Sequence, residues 1–197
     1  QQTNAEAYNA YLQGRYFFDR RSKDDLEKAI GYYERALQID PNYAHAWALM
    51  AVGQMLMRFA TGGQGEDGLA AAERALTLDS NLAEAHAIKA RILSESGRHD
   101  AASAEIEIAL ALDPESFEVN RAAAYLRFRQ KRTKDAILHF EKAQSLMETD
   151  VSSGNMLMTC YTALGDSAAA QRQAHITVAR AQKALAQDPS NGAAMGF

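Results

Sequence analysis

A single cysteine, Cys160, in 197 residues removes two kinds of chemistry at once. It can form neither an internal disulfide nor a thiolate metal cluster, and a lone thiol fits a reducing compartment, so the expectation is a cytoplasmic protein. Proline is nearly absent, with three residues, so helices can run long distances without a break. Long apolar runs are missing too. The richest, AWALMAVGQMLM from Ala46 to Met57, is interrupted by Gln54 and flanked by His45 and Arg58. That falls far short of the roughly 20 apolar residues that cross a bilayer, and no membrane segment is expected. Basic charge is not in excess: 21 Lys and Arg stand against 25 Asp and Glu, for a net charge of -4. Little is left to hold a phosphate backbone through counterion release, so nucleic acid is not expected as a partner. The opening QQTNAEAYNA has neither the basic start nor the apolar centre of a signal peptide and does not begin with Met. The chain is therefore expected to be a piece of a longer protein.

What the chain has is repetition. ERALQIDPNYAHA from Glu34 to Ala46 returns as ERALTLDSNLAEAHA from Glu73 to Ala87 and as EIALALDPESFEV from Glu107 to Val119. Aligned on the small residue before each turn, the register positions are Ala36, Ala75, Ala109, Ala143 and Ala184, with intervals of 39, 34, 34 and 41. Five residues after these alanines stand Pro41, Ser80, Pro114, Glu148 and Pro189, so all three prolines share one repeat position. Proline ends a helix because it lacks an N–H and clashes with the preceding turn. Within a unit the apolar spacing is helical: Leu26, Ile30, Tyr33 and Leu37 form one stripe. Ser22 with Asp25 has capping-box spacing, Asp166 and Ser167 open another helix, and Gly97 and Gly165 sit where a first helix should turn into a second. Each unit reads as a helical hairpin.

A 34-residue helix-turn-helix unit with small inner residues and a terminal proline resembles the tetratricopeptide repeat, and the resemblance covers almost the whole chain. In that family's frame the large residue near the start of the first helix is matched by Trp47 and, less well, by Tyr8, His86, Asn120 and Gly154; Ala51, Ala90 and Ala124 match the small residue four positions on. Second helices carry Ala29, Tyr33 and Ala36, then Ala102, Ile106 and Ala109, then Ala136, Phe140 and Ala143. The fold this implies is all-α: an α-solenoid of about five units in a curved right-handed superhelical stack. It forms a single array over 1–197, with units at about 4–42, 43–80, 81–114, 115–150 and 151–190, and with 191–197 opening a further unit or ending as a remnant. Departures from the frame carry expectations of their own. FFDRRSKDD and RFATGGQGED each hold about five residues more than the family allows, which predicts longer loops or an extra turn. Nothing between Ser167 and Gln187 breaks a helix, which predicts one long helix with Ala174, Val178, Ala181 and Leu185 along its buried stripe. Arg127 stands where the family has a large ring, which predicts a local shift or a guanidinium reaching the surface on its apolar stem.

Catalytic chemistry has few candidates. His45, His86, His99, His139 and His175 lie in different helices or turns without a second ligand at helical spacing, so no metal site is expected. Cys160 in MLMTCYTAL lacks a nearby base in the sequence and reads as a half-buried packing thiol. TGGQGEDG follows a helix and lacks the Lys that would reach phosphates, so it reads as an inserted connection. The methionines, Met50, Met55, Met57, Met156 and Met158 among them, serve either core filling or an adaptable surface. No catalytic residue, cofactor or metal is expected.

What remains is shape. The resemblance implies that first helices line an inner groove, faced by Leu49, Val52, Ile88, Arg91, Arg121, Tyr125, Arg129, Asn155 and Thr159. Three arginines and a tyrosine suit a peptide carboxylate, unless Glu84, Glu95 and Glu118 already pair with them. The positions where some family members clamp a C-terminal carboxylate hold Asn9, Gln13, Leu49, Glu84 and Ile88 here, which does not support that mode. The expectation is a protein or peptide partner held in this groove, with no catalysis by this segment. The stretch from Ala10 to Trp47 is also similar to repeat segments of bacterial adenylate or guanylate cyclases and winged-helix regulators, which implies the regulatory or docking part of a larger bacterial signalling protein. Two alternatives stand beside it: self-association through Gly192 to Phe197 or the final helix, giving a homo-oligomer, and a non-catalytic fragment of a nucleotide cyclase or other enzyme.

Overall fold

The structure, a computed structural model, describes residues 4–20 and 22–187. The expected start of a further unit at 191–197, with Pro189 and Gly192 to Phe197, lies outside the described residues. Among those described there are ten helices and no strand: α1 Ala5–Arg20, α2 Lys23–Ile39, α3 Ala44–Ala60, α4 Leu69–Leu78, α5 Ala83–Glu95, α6 His99–Leu112, α7 Phe117–Arg129, α8 Thr133–Leu146, α9 Ser152–Ala163 and α10 Ser167–Gln187. Consecutive helices pack as antiparallel hairpins and each hairpin leans on the next, while first helices also touch one another across one face, α1 with α3, α3 with α5 and α5 with α7. This is an α-solenoid, and its core is one large cluster under α1 to α5 followed by smaller ones along the stack.

The sequence register coincides with the points of tightest packing. Ala36, Ala75, Ala109 and Ala143 are wholly buried, and each carbonyl accepts the N–H that ends its helix, from Asp40, Asp79, Asp113 and Met147 at 2.8, 2.9, 2.9 and 3.2 Å. In three of these turns the aspartate then folds back: Asp40 Oδ1 accepts from Asn42 N, Asp79 Oδ1 from Asn81 N, and Asp113 Oδ1 from Glu115 N, at 3.0, 3.0 and 3.2 Å. The next first helix ties down the same turn. Trp47 Nε1 donates to Pro41 O at 2.9 Å, His86 Nε2 lies 3.0 Å from Ser80 O, and Asn120 Nδ2 donates to Pro114 O at 2.8 Å. Three unlike side chains are thus equivalent here because each puts an N–H six residues back along the chain. Family resemblance weakens at His86 and Asn120, but the hydrogen bond does not.

The fourth turn lacks both devices, since Met147 replaces the aspartate and Gly154 replaces the donor. Helix α10 supplies the missing contacts. Arg180 Nη1 donates to Met147 O at 2.8 Å, Lys183 bonds Glu148, and Thr177 fills the space over Gly154, where a Cβ would collide with Thr177 Oγ1. This corrects the expected stripe on α10. The helix is unbroken, but its buried row is Gln173, Thr177, Ala181 and Ala184, whereas Val178 is 39% exposed. The close approach at Gly154 admits a threonine and turns the valine outward.

Within hairpins, Gly97 and Gly165 end their helices at φ 76° and 75°, and the following N–H reaches back five residues, from Arg98 to Leu93 O and from Asp166 to Tyr161 O. Lys131 holds the same place at φ 60°, with Arg132 N bonded to Arg127 O. Arg127 does not shift its unit. It is buried with its guanidinium on Glu107 and Gln130, so the stem packs and the charge finds a carboxylate. Of the two insertions, the first lengthens α1 to 16 residues, and α2 opens at the Ser22 cap, which accepts from Asp25 N at 3.1 Å. The second lengthens α3 to 17 residues and adds the turn at 61–68, where Arg58 Nη1 donates to Gly65 O at 2.6 Å.

Candidate functional site

Because α1, α3, α5 and α7 lie along one face, their inward side chains meet around a cavity of about 100 Å³ that opens to solvent. Its floor is apolar, from Phe18, Leu49, Val52, Ala87, Ile88 and Ala122, and its walls carry Arg15, Glu84, Arg91, Glu118, Arg121 and Tyr125. Six of the nine residues expected to face the groove come together here: Leu49, Val52, Ile88, Arg91, Arg121 and Tyr125. Arg129 does not line the cavity and instead bonds Glu95 across to α5; Asn155 and Thr159 are exposed on α9.

Sequence reasoning missed six lining residues, Arg15, Phe18, Glu84, Ala87, Glu118 and Ala122. Glu84 and Glu118 belong to the period itself: moving Glu84, Ala87, Ile88 and Arg91 along by one repeat of 34 lands on Glu118, Arg121, Ala122 and Tyr125, so both acids were legible as lining. Phe18 sits just past the length that α5 and α7 reach, and Arg15 falls at the place of Leu93 and Arg127, neither of which lines the cavity, so the repeat frame signals neither residue.

The charges in the cavity are unequal in their partners. Arg121 bonds Glu118 at 2.6 Å and lies 5.3 Å from the centre of the Phe117 ring. Arg15 acts on the Tyr11 hydroxyl, and both Arg15 and Arg91 are engaged within the chain. Glu84 makes no hydrogen bond or ion pair among the described residues. Burial first, and the Glu118 carboxylate second, push it above the usual carboxylate range, while Arg15 pulls the other way.

Chemistry elsewhere is structural. Cys160 is wholly buried, not half-buried as its sequence setting implied, and burial pushes its thiol up, away from thiolate reactivity. Met50 and Met55 fill the core. His86 Nδ1 lies 2.6 Å from Glu105 Oε2, and Lys89 bonds the same carboxylate at 2.8 Å, an α5–α6 network that no spacing rule signals. The described residues hold no group of three or more His, Cys, Asp or Glu able to bind a metal, and no helix among them is long and apolar enough to cross a membrane.

The family model described as Tetratricopeptide repeat matches residues 21–43 and 83–116, which are α2 with its turn and the hairpin of α5 and α6. Those segments are tetratricopeptide repeats, and the other hairpins continue the same stack. A search of curated proteins finds no sequence match. Among solved structures, the array is similar to TTC0263, a thermophilic TPR protein of Thermus thermophilus, at a TM-score of 0.71 and 14% identity over 96% of this chain and 95% of that one. It is similar to human IFIT1, solved as a dimer with m7Gppp-AAAA, at a TM-score of 0.74 and 18% identity over 95% of this chain and 44% of that one. It is also similar to MamA of Desulfovibrio magneticus RS-1, at a TM-score of 0.55 and 14% identity over 95% and 99%. At these identities the likeness is one of fold. A tetratricopeptide array is a scaffold for protein interaction, which is the coarse reading the fold carries.

Proposed function

We propose that the array holds a peptide or an exposed segment of a partner protein in the cavity framed by α1, α3, α5 and α7, and that it does no chemistry of its own. The observation that carries this is the cavity itself: apolar floor, charged walls, and contributions from four successive units. Leu49, Val52, Ile88, Arg91, Arg121 and Tyr125 are its contact residues, with Arg129, Asn155 and Thr159 on the continuation of the groove. Nucleic acid is not proposed despite the m7Gppp-AAAA named with IFIT1, since the net charge of -4 supplies no basic stripe. The similarity of Ala10 to Trp47 to bacterial cyclase and regulator segments supports a place as the cytoplasmic docking part of a larger signalling protein.

The test is selection of a displayed random peptide library on the protein, followed by Kd measurement for synthetic copies of the enriched peptides. Ala122→Trp, which fills the cavity, is expected to abolish binding, with Val52→Trp as a second blocking variant. Enriched peptides that bind both folded variants as tightly as the parent would overturn the reading. A second reading, self-association through α10, is favoured by Ile176 and Val178 standing 45% and 39% exposed on it. Light scattering at high concentration tests it, and a monomer excludes it.

A further inference from the structure

Docking in this cavity raises the question of what charge the occupant carries, and the arginines do not answer it. Arg121 is held by Glu118, Arg129 is held by Glu95, and Arg15 and Arg91 are engaged within the chain. An incoming carboxylate would have to displace partners already in place. Glu84 stands in the opposite position. It is half-buried on the cavity wall, it has no hydrogen bond or ion pair among the described residues, and the second carboxylate of the cavity, Glu118, acts on it unfavourably. A carboxylate partly withdrawn from water without a donor is a deficit that a cation can relieve. Around it lie Leu49, Ile88 and Ala122, an apolar surface suited to the methylene stem of a long basic side chain.

We infer that the groove selects partners by a basic side chain: a Lys ammonium or Arg guanidinium of the bound peptide seats against Glu84 and Glu118, and its stem lies over Leu49, Ile88 and Ala122. This rests on the docking reading and goes beyond it in naming the partner's chemistry. The repeat explains why two acids are available, because Glu84 and Glu118 occupy the same position in successive units. Glu118 has Arg121 bonded to it, whereas Glu84 feels Arg15 without bonding it and keeps its oxygens open to the ligand.

Selection of the displayed random library on the protein is expected to enrich peptides with Lys or Arg beside apolar residues. Glu84→Gln is expected to weaken the enriched peptides by about tenfold or more, since a charge withdrawn from water is left without its counterion. Replacing the peptide's basic residue by norleucine is expected to do the same, and combining both changes is expected to add little. Glu84→Gln should not lower the melting temperature, because its charge is a cost to the folded chain. A purely structural Glu84 would show a lower melting temperature instead. Enrichment of acidic or uncharged peptides that still lose binding to Ala122→Trp overturns the basic-ligand inference and leaves the docking reading intact. Equal affinity of basic peptides for Glu84→Gln does the same. No enrichment at all, or peptides indifferent to the blocking variants, overturns both.

Discussion

Lys131→Gly should make the protein more stable, against the usual cost of placing glycine beside a helix. Lys131 sits at φ 60°, where its Cβ crowds the carbonyl oxygen, at a penalty of roughly 1–2 kcal/mol for a residue with a side chain. Glycine escapes that penalty but gives the unfolded chain extra freedom, worth about 0.5–1 kcal/mol against folding. The Lys131 side chain is exposed and takes part in no hydrogen bond or ion pair among the described residues, so its removal costs little else. The net expectation is a gain of about 0.5–1 kcal/mol, or roughly 1–4 °C in melting temperature for a chain of this size. Two controls come from the repeat itself. Lys131→Ala keeps the strained dihedral and should be near neutral, and Gly97→Ala at φ 76° should lose about 1 kcal/mol. Thermal melts read the global change. Because repeat arrays unfold in pieces, hydrogen exchange at the Lys131 and Arg132 amides reads the local one. A lower melting temperature for Lys131→Gly, with Lys131→Ala unchanged, would refute the strain argument.

Gly154→Ala drives a methyl into Thr177, whose branched side chain is wholly buried and bonded to Gln173 O, so a loss of about 1–3 kcal/mol is expected in urea denaturation. Gly154→Ala with Thr177→Ala should recover part of that loss, and a strictly additive double variant would contradict the contact. Burial alone would raise Glu105, but hydrogen bonds from Lys89 and His86 outweigh it and hold the carboxyl below its ordinary value. A folded value below the unfolded one means its stabilisation is complete above about pH 4.3 and is lost as pH falls through the folded value. Glu105→Gln should therefore cost about 2 kcal/mol at neutral pH and flatten the acid limb of the stability curve, read by melts between pH 7 and the acid transition. Cys160 should resist a thiol-specific chromogenic reagent in the folded protein and react fully in denaturant, and rapid labelling without denaturant would contradict its burial.

The hairpins, their register and the unbroken last helix were legible because they depend on positions that recur: buried alanines, turn prolines, and glycines after first helices. Where a residue departed from the family pattern, the sequence showed the departure but not its resolution. His86 and Asn120 looked like poor matches to Trp47, yet each reaches the same kind of carbonyl, because the fold needs an N–H there more than a ring. Val178 was misplaced because the α10 register depends on what lies across from it, and Gly154 is far away in sequence. The cavity was legible where the period repeats and hidden where α1 runs past it. Glu84 and Glu118 could be read as neighbours of the arginines, but which acid takes an arginine and which stays open is decided by side-chain geometry that spacing does not encode.

The borrowing at the fourth turn gives the array a direction. Earlier turns have a carbonyl tied by the helix that immediately follows, to which Arg74 on α4 and Lys142 on α8 add bonds to Asn42 and Glu115. The turn after Leu146 waits for Arg180, Lys183 and Thr177, which arrive only once α10 has docked. The last helix is thus a clasp for the unit before it, and truncation within α10 should unravel the stack from that end while leaving the first three hairpins standing.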